Sequence, residues 1–464
     1  MVEVQQRQIA VQAAQIEVLQ GQVAELRRRL GFNSTNSSKP PASDGLAKPP
    51  PRSLRRGSGR RPGKQPGAPG AALSQVGSPD EVVEHRPGRC AGCRADLGGA
   101  PVVRVTRRQV FDLPAVRLRV VEHRLAACGC LCGQVTAADA PAGVHAPAQY
   151  GTQVAAVAAY LVVGHHIPVK RAAQILADLC GADVSVGWVA GQIRRAALGL
   201  TGFAARVGAA ITAAPVVHFD ESGARVCGRN RWVHVACTPW LTAYHLDDKR
   251  GQPAIDAMGV LPALGQRQVA VHDGWMPYLK DCYTTVTHAL CNAHHLRELT
   301  GWAETDPDRH RWAQTMADLL REGKNHVDTA ATAGHAALDE PVSADLLHRW
   351  AQAIDVAYAA NPPPAGKGRG PVLALVDRMR GFTAEIWRFA HDFTVPFDNN
   401  QAERDIRMVK LQPKISGGWR TEHSARHWLR VRSYISTLRK NGIHILTALR
   451  DALTGNAWMP ALPT

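Results

Sequence analysis

The chain begins with apolar residues at heptad spacing. An a position recurs every seven residues at Val2, Ile9, Ile16, Val23 and Leu30, and d positions hold Leu19 and Leu26. This pattern predicts a coiled coil over residues 1–31, through which copies of the chain form a homo-oligomer. A lone amphipathic helix is the alternative, because polar Gln5 and Gln12 occupy two further d positions and weaken the start of the seam.

Helical periodicity returns after residue 143. Runs 154–163, 168–179 and 185–198 predict three helices, with a turn centred on Gly181 before the third. Over residues 143–210 this order is compatible with a helix-turn-helix that binds DNA, and equally with a helical connector. Arg194 and Arg195 in the third run are candidate DNA contacts on the first interpretation and ordinary surface residues on the second.

A strand-like pattern follows, and two of its runs lead to an aspartate. Runs 216–220, 231–237, 241–246 and 268–272 predict strands, and run 252–258 predicts a helix between the last two. Asp220 closes the first run and Asp273 follows the last, so neighbouring strands would bring these carboxylates together. Residues 291–390 are largely helical, and a further helix starting near Asn400 carries Glu403 in its first turn. The pattern predicts an α+β multidomain protein whose core, residues 211–284 and 393–464, is interrupted by a helical insertion at 285–392.

A basic segment separates the heptads from the rest of the chain. Residues 32–79 are rich in Ser, Pro and Gly, which predicts a disordered linker. After Asp44 its cations follow one another with no acidic residue up to the last of them: Lys48, Arg52, Arg55, Arg56, Arg60, Arg61 and Lys64. Such a run is a solvated linker and also a means of neutralising DNA phosphates, so Arg55, Arg56, Arg60 and Arg61 are candidate DNA contacts.

Composition narrows the class of partner. The 464 residues carry a formal net charge of +16, which favours a polyanion such as nucleic acid. The longest apolar run, 154–163, is about half of what crosses a bilayer, and the polar, Gln-rich start does not resemble a signal peptide. We therefore expect a cytoplasmic protein without a membrane partner.

Half of the ten cysteines lie in one short segment, residues 80–142. Cys90 and Cys93 have a common zinc-ligand spacing, and Cys128, Cys130 and Cys132 offer three thiols for two remaining positions. With extended runs at 104–111 and 116–123, the segment is predicted to be a small β-rich module folded around structural Zn²⁺. Cys132, followed by glycine, is the firmest distal ligand; Cys130 is preferred as the other, with Cys128 as its alternative. Alternatively, these cysteines are reduced thiols that bind no metal ion.

Carboxylates that meet at strand ends repel one another unless cations neutralise them. Mg²⁺ suits such a site because it prefers oxygen ligands and shares its coordination with substrate phosphate, and two such ions support displacement at phosphorus. Three acidic residues chosen from 39 are, however, a weak signal on their own.

The words around these acids are more specific. HFDESG at 218–223, VHDGWMPY at 271–278 and NNQAER at 399–404 resemble, in order, the three acidic motifs of insertion-sequence 66 family transposases. LGFN at 30–33, NSSKPP at 36–41, PGKQPG at 62–67 and KISGG at 414–418 resemble further family segments, so the likeness spans nearly the whole chain. Three distal cysteines depart from the family's usual pair. Cys291 and His294 lie where the family carries a Cys-x-x-His word, for which a packing role is favoured over metal binding.

The resemblance implies a ribonuclease-H-like core with a catalytic triad of Asp220, Asp273 and Glu403, rather than Glu221, Asp398 or Asp405. It implies two Mg²⁺ ions, with Mn²⁺ as a substitute, and DNA as the partner at element ends and target. Cations that follow the glutamate are candidate phosphate contacts: Arg404, Arg407, Lys410 and Lys414. The expected function is DNA cleavage and strand transfer. A catalytically silent DNA-binding regulator and a plain metal-dependent nuclease are the alternatives, and a need for accessory element-encoded proteins is left open.

Overall fold

The computed structural model describes residues 73–363 and 370–461, residues 63, 64 and 67, and ten positions between 5 and 19. The chain divides into two compact units, residues 55–120 and residues 1–54 with 121–464. Most of the predicted coiled coil, and Arg55, Arg56, Arg60 and Arg61 of the linker, lie outside the described residues. The described positions between 5 and 19 are helical, and Ile9, Ile16 and Leu19 among them are more than half exposed.

The extended runs predicted at 104–111 and 116–123 are not strands. Both runs are fully described, and their apolar side chains are exposed, with Val110 at 91% and Val120 at 87%. A strand requires a partner that completes its ladder of backbone hydrogen bonds, which an alternating pattern alone does not supply. Around this stretch the contacts are made by side chains: the Gln109 side chain accepts from the Val76 backbone N–H at 2.8 Å. The β-rich prediction was wrong for these two runs.

The larger unit starts with a short hairpin. Strands β1 (Ala127–Gly129) and β2 (Val135–Ala137) are antiparallel, and Gly133 turns the chain between them with φ +86°. Cys130 donates its backbone N–H to Gln134 O at 2.7 Å, which closes the turn. The hairpin therefore carries Cys128 on β1 and Cys130 and Cys132 in the loop that follows it.

Four helices follow: α1 (Thr152–Ala159, continued by a π turn at Tyr160–Gly164), α2 (Val169–Cys180), α3 (Val186–Gly199) and α4 (Thr201–Thr212). Gly181 ends α2 in the left-handed conformation, with φ +68°, and the Ser185 hydroxyl caps α3 by accepting from Trp188 N at 3.1 Å. The three helices and the turn predicted for this region are confirmed.

A five-stranded mixed sheet forms the centre of the unit. Its strands are β3 (Val216–Val226), β4 (Arg229–Cys237), β5 (Thr242–Asp247), β6 (Val269–His272) and β7 (Thr287–Leu290), in the spatial order β5-β4-β3-β6-β7. The first three are antiparallel, whereas β6 and β7 run parallel to β3. Helix α5 (Gln252–Met258) and 3₁₀ turns at Leu261–Ala263, Met276–Leu279 and Asp281–Tyr283 connect them.

A helical segment separates β7 from the last part of the unit. It contains α6 (Asn292–Thr305), α7 (Arg311–Thr332), α8 (Glu340–Ala360), α9 (Pro371–Gly381), α10 (Thr383–Ile386) and α11 (Arg388–His391). Trp312, Trp350 and Trp387 are buried at its centre, where Trp350 and Trp387 meet edge to face at 5.6 Å. The segment thus has a hydrophobic core of its own.

The chain then returns to the sheet through α12 (Asn400–Ser416), α13 (Glu422–Lys440) and α14 (Ile445–Leu453). Helix α12 packs on β3 and β4, and α13 packs on β5 and α3. Asp405 and Lys440 pair at 2.7 Å beneath these helices, both largely buried. Among the described residues, no helix is long and apolar enough to cross a membrane.

Candidate active site

The parallel pairing of β3 with β6 leads towards two aspartates. Its last pair is His218 with Val271, which is two residues before Asp220 on one side and before Asp273 on the other. Both residues are half-buried. The pKa of Asp220 is raised to about 8, chiefly by burial and then by the negative charges of Glu221 and Asp273, while Lys410 on α12 opposes the shift. The prediction that Asp220 closes its strand was wrong: the residues after it stay paired with β4, so Asp220 lies inside β3, whereas Asp273 directly follows β6.

A tight turn after β6 fixes Asp273. Gly274 has φ +83°, a conformation that favours glycine, and the Asp273 carboxylate accepts the backbone N–H of Trp275 at 2.9 Å. His272 Nδ1 accepts the N–H of Gly274 at 3.1 Å, so its Nε2 carries the proton and donates to His288 Nδ1 at 3.0 Å. Burial lowers the pKa of His272 well below its usual value, which keeps this support neutral.

Glu221, the neighbour of Asp220, is already occupied. Its side chain is 2% exposed, and one oxygen accepts two hydrogen bonds from Arg250, at 2.7 and 3.0 Å. The other oxygen accepts the Tyr278 hydroxyl at 2.6 Å. Arg250 in turn lies 4.1 Å from the Trp275 ring centroid. These partners, which the sequence analysis did not predict, engage both carboxylate oxygens of Glu221.

Asn399 docks the start of α12 onto β3. Its side-chain N–H₂ donates to Phe219 O at 2.7 Å, and its carbonyl oxygen accepts from His218 Nδ1 at 2.9 Å. Glu403 lies one turn later and donates its backbone N–H to Asn399 O at 3.2 Å. The helix that carries Glu403 is therefore tied to the two residues that precede Asp220. The role of Asn399 was not predicted, although the asparagine pair before the glutamate was visible in the sequence.

Glu403 also meets the start of the helical segment. Ligand atoms of Cys291, His294 and Glu403 all lie within 4.8 Å of one another, the arrangement of a group that could hold a metal ion. His294 Nδ1 and Glu403 Oε1 are 3.7 Å apart. Burial, reinforced by the Glu403 charge, raises the pKa of Cys291 to about 12.

The predicted cations on α12 form an exposed row. Arg404, Arg407, Lys410 and Lys414 are exposed, and the last three lie at the spacing that places them on the same helix side as Glu403. On α3, Arg194 and Arg195 are both exposed, and Arg195 donates to Leu453 O at 3.3 Å.

The five clustered cysteines are free thiols that fall in different units: Cys90 and Cys93 in the shorter unit, and the other three in the longer one. The pKa of Cys90 is lowered, first by the backbone N–H of Cys93. In the same way the backbone N–H of Cys132 lowers the pKa of Cys130. Each pair thus has a thiol directed at backbone N–H groups, as zinc-binding turns do. Zinc binding itself stays a prediction.

Two protein families match the chain. The model of the transposase IS66 family covers residues 147–427, which is more than half of the sequence. A second model, of a family of unknown function, covers residues 2–74. No curated protein matches the chain.

Proposed function

The chain belongs to the IS66 transposase family, and we propose that it cuts DNA at the ends of its element and joins the freed 3′-hydroxyl to target DNA. Family membership implies a DNA substrate and the use of a divalent metal. The observation that carries the finer proposal is the parallel pairing of β3, which contains Asp220, with β6, which leads into Asp273, while Asn399 docks the Glu403 helix to β3. The strand order and the helical segment between β7 and α12 support a ribonuclease-H-like core with an insertion.

The residues present fit magnesium. Asp220 is crowded by two other carboxylates, and Glu403 Oε1 is covered from solvent without a hydrogen-bond partner. A cation would offset the repulsion and satisfy the free oxygen, so Asp220, Asp273 and Glu403 are the proposed ligands of two Mg²⁺ ions, with Mn²⁺ as a substitute. When bound, such ions stabilise the attacking and leaving oxygens of an in-line displacement at phosphorus.

Other side chains bind and orient the DNA. Arg404, Arg407, Lys410 and Lys414 are proposed to contact phosphates along the edge of the site, because their exposed row continues from Glu403. The proposed nucleophiles are water for cleavage and the 3′-hydroxyl for joining. Since the carboxylates hold metal, no covalent bond between protein and DNA is proposed.

The remaining modules support DNA binding and assembly in this proposal. Residues 1–31 pair the subunits, residues 32–79 contact phosphates, and residues 80–142 bind zinc through Cys90, Cys93, Cys130 and Cys132. The similar settings of Cys90 and Cys130 support Cys130 over Cys128. Arg194 and Arg195 on α3 are proposed DNA contacts, since both reach the surface.

The test is an assay with purified protein, labelled element-end DNA and Mg²⁺ that scores nicked and joined products separately. Asp220→Asn, Asp273→Asn and Glu403→Gln should each lower cleavage by about a thousandfold or more, because each removes a charged ligand while keeping the side-chain shape. DNA binding should survive. A double variant should be little worse than either single one, since the site acts as a unit.

Asp398→Asn is the matched control. Asp398 is half-buried beside Glu403, and its carboxylate accepts the N–H of Asn400 at 3.0 Å, a bond that asparagine can keep. This variant should cleave normally. Normal cleavage by all three triad variants would refute the site, and nicks that are never joined would indicate a nuclease instead of a transposase.

A further inference from the structure

Three potential ligands converge where the helical segment leaves the sheet. Cys291 immediately precedes α6, His294 lies in its first turn, and Glu403 lies in the first turn of α12. One ligand atom from each residue lies within 4.8 Å of the other two. The sequence places Glu403 more than one hundred residues from the other two, so the fold creates this cluster.

Two atoms of the cluster are left without partners. His294 Nδ1 and Glu403 Oε1 are both covered from solvent, and neither has a hydrogen-bond partner. Their separation of 3.7 Å is too long for a hydrogen bond between them. A buried polar atom without a hydrogen-bond partner destabilises the fold, and a cation bound by both atoms would remove that cost.

A backbone hydrogen bond holds the sulfur of Cys291 in place. Cys291 is 1% exposed, and its Sγ accepts the backbone N–H of Asn399 at 3.1 Å. That N–H favours the thiolate that binds metal, against the burial and the Glu403 charge that raise the pKa of the thiol. Asn399 also docks α12 on β3, so the same residue sets the sulfur and the glutamate in place.

We propose that Cys291, His294 and Glu403 bind one soft divalent cation such as Zn²⁺, at a site that shares Glu403 with the magnesium ligands of the proposed function. A thiolate, an imidazole and a carboxylate together select zinc-like ions, whereas Mg²⁺ prefers oxygen ligands alone. Three protein ligands leave a fourth position of a tetrahedral ion open, as in zinc sites that exchange ligands. The shared glutamate couples the two sites, so occupation of one weakens the other. Only this coupling rests on the proposed function.

Co²⁺ is the probe, because thiolate ligation gives it an intense near-ultraviolet band that oxygen ligands do not give. Full-length, metal-stripped protein is titrated with Co²⁺ in the absence of DNA and Mg²⁺. His294→Ala and Cys291→Ser should each lose one equivalent of thiolate-bound cobalt relative to the wild type. Cys282→Ser removes an exposed thiol elsewhere and should retain the wild-type number. Because other cysteines also bind Co²⁺, the difference in equivalents is the readout.

His294→Ala decides the result if Cys291→Ser unfolds, because the His294 side chain is 23% exposed and tolerates truncation better. A folded His294→Ala variant that binds as much thiolate-ligated cobalt as the wild type would overturn the proposal.

A second titration separates this proposal from the proposed function. Excess Mg²⁺ should raise the cobalt dissociation constant of the lost equivalent at least about threefold in the wild type and leave it unchanged in Asp220→Asn. If one cobalt equivalent depends on His294 but its dissociation constant does not change with Mg²⁺, the soft-cation site is supported. Only the proposed magnesium ligands are then contradicted.

Discussion

Two adjacent carboxylates of β3 have different partners. The Asp273 charge acts on both, but Lys410 acts on Asp220, whereas Glu221 binds Arg250 and Tyr278. Successive side chains point to opposite faces of a strand, so neighbours in sequence meet different partners. The sequence offered both acids as ligands, and only the family resemblance chose between them. The hydrogen bonds of Glu221 to Arg250 and Tyr278 support the proposed choice of Asp220.

The same contrast governs the choice of control variants. The sequence suggests Glu221 and Asp405 as tolerant acids near the triad. Both are buried: Glu221 pairs with Arg250, and Asp405 accepts from Lys440 and from the Thr242 hydroxyl at 3.0 Å. Replacing either leaves a buried donor without its acceptor, which destabilises the fold. Loss of activity in those variants would therefore carry no information about catalysis.

Lys410 gives a prediction at the residue scale. Lys410→Gln should weaken binding to DNA of any sequence and flatten the plot of log affinity against log salt by about one unit, as expected when one phosphate contact is lost. Cleavage should fall too, because the Lys410 charge acts on Asp220 and would stabilise negative charge at the site. Binding isotherms at several salt concentrations measure the first effect.

Lys324→Gln serves as the comparison for Lys410. Lys324 lies on α7, where it pairs with Asp328 at 2.5 Å, and it should leave the salt slope as in the wild type. Equal slopes in the wild type and in Lys410→Gln would show that Lys410 touches no phosphate.

At the scale of elements, local pattern predicted most of the central sheet. The predicted strands at 231–237, 241–246 and 268–272 and the helix at 252–258 lie within two residues of β4, β5, β6 and α5, whereas β3 extends six residues past the predicted end at 220. Strand β7 was not predicted and lies inside the range assigned to the helical insertion, because four residues ending in buried Ala289 and Leu290 are too short to show a period. At 104–111 and 116–123 the pattern predicted strands that do not form, since alternation does not reveal whether a strand has a partner.

The helical segment contains a buried histidine that predicts acid sensitivity. His295 Nδ1 meets Asn292 Oδ1 at 3.1 Å, and Asn292 donates to Ile386 O at 2.9 Å. Burial lowers the pKa of His295 to about 3, with Arg378 and His294 adding to the shift. The unfolded chain therefore takes up a proton below about pH 6.5 that the folded chain refuses. The contribution of neutral His295 to the free energy of unfolding is complete above that pH and is lost as the pH falls.

His295→Gln should remove that dependence. Between pH 7 and pH 5 the wild type should lose about 2 kcal/mol of unfolding free energy through this residue alone, and the variant should lose correspondingly less. Denaturant unfolding at pH 5, 6 and 7 gives the slope, which any packing cost of glutamine leaves unchanged. His335→Gln, an exposed position, should keep the wild-type slope. Identical slopes in all three proteins would contradict the assignment.

The cysteine-rich segment yields a prediction about metal content. Full-length protein should contain structural zinc bound by Cys90, Cys93, Cys130 and Cys132, and Cys132→Ser should lower the zinc content by one equivalent. Elemental analysis of the purified proteins measures it. Cys227→Ser removes an exposed thiol outside the segment and should keep the full content. If Cys132→Ser contains as much zinc as the wild type, these four cysteines are reduced thiols that do not bind zinc.

At the scale of the whole molecule, the candidate site depends on contacts that no local pattern shows. Asn399 bonds to Phe219, 180 residues away, and Asp405 bonds to Thr242 across 163 residues. Periodicity could predict the helix that carries Glu403 but not the strand it packs on. The family resemblance supplied that connection, because its three motifs group acids that are far apart in the sequence.

The last prediction concerns assembly and rests on the exposed apolar residues near the N-terminus. Ile9, Ile16 and Leu19 are helical and more than half exposed in a single chain, and they occupy a and d positions of the heptad pattern. Such side chains gain by burial against a second copy, about 0.8 kcal/mol for each buried methylene. Deletion of residues 1–31 should therefore lower the oligomeric state measured by light scattering. Ile9→Asn with Ile16→Asn should act like the deletion, because polar a positions weaken the seam without shortening the chain. Gln8→Asn with Gln15→Asn, outside the a and d positions, should assemble as the wild type does. If the number of subunits is unchanged after the deletion, this helix binds something other than a second copy of itself.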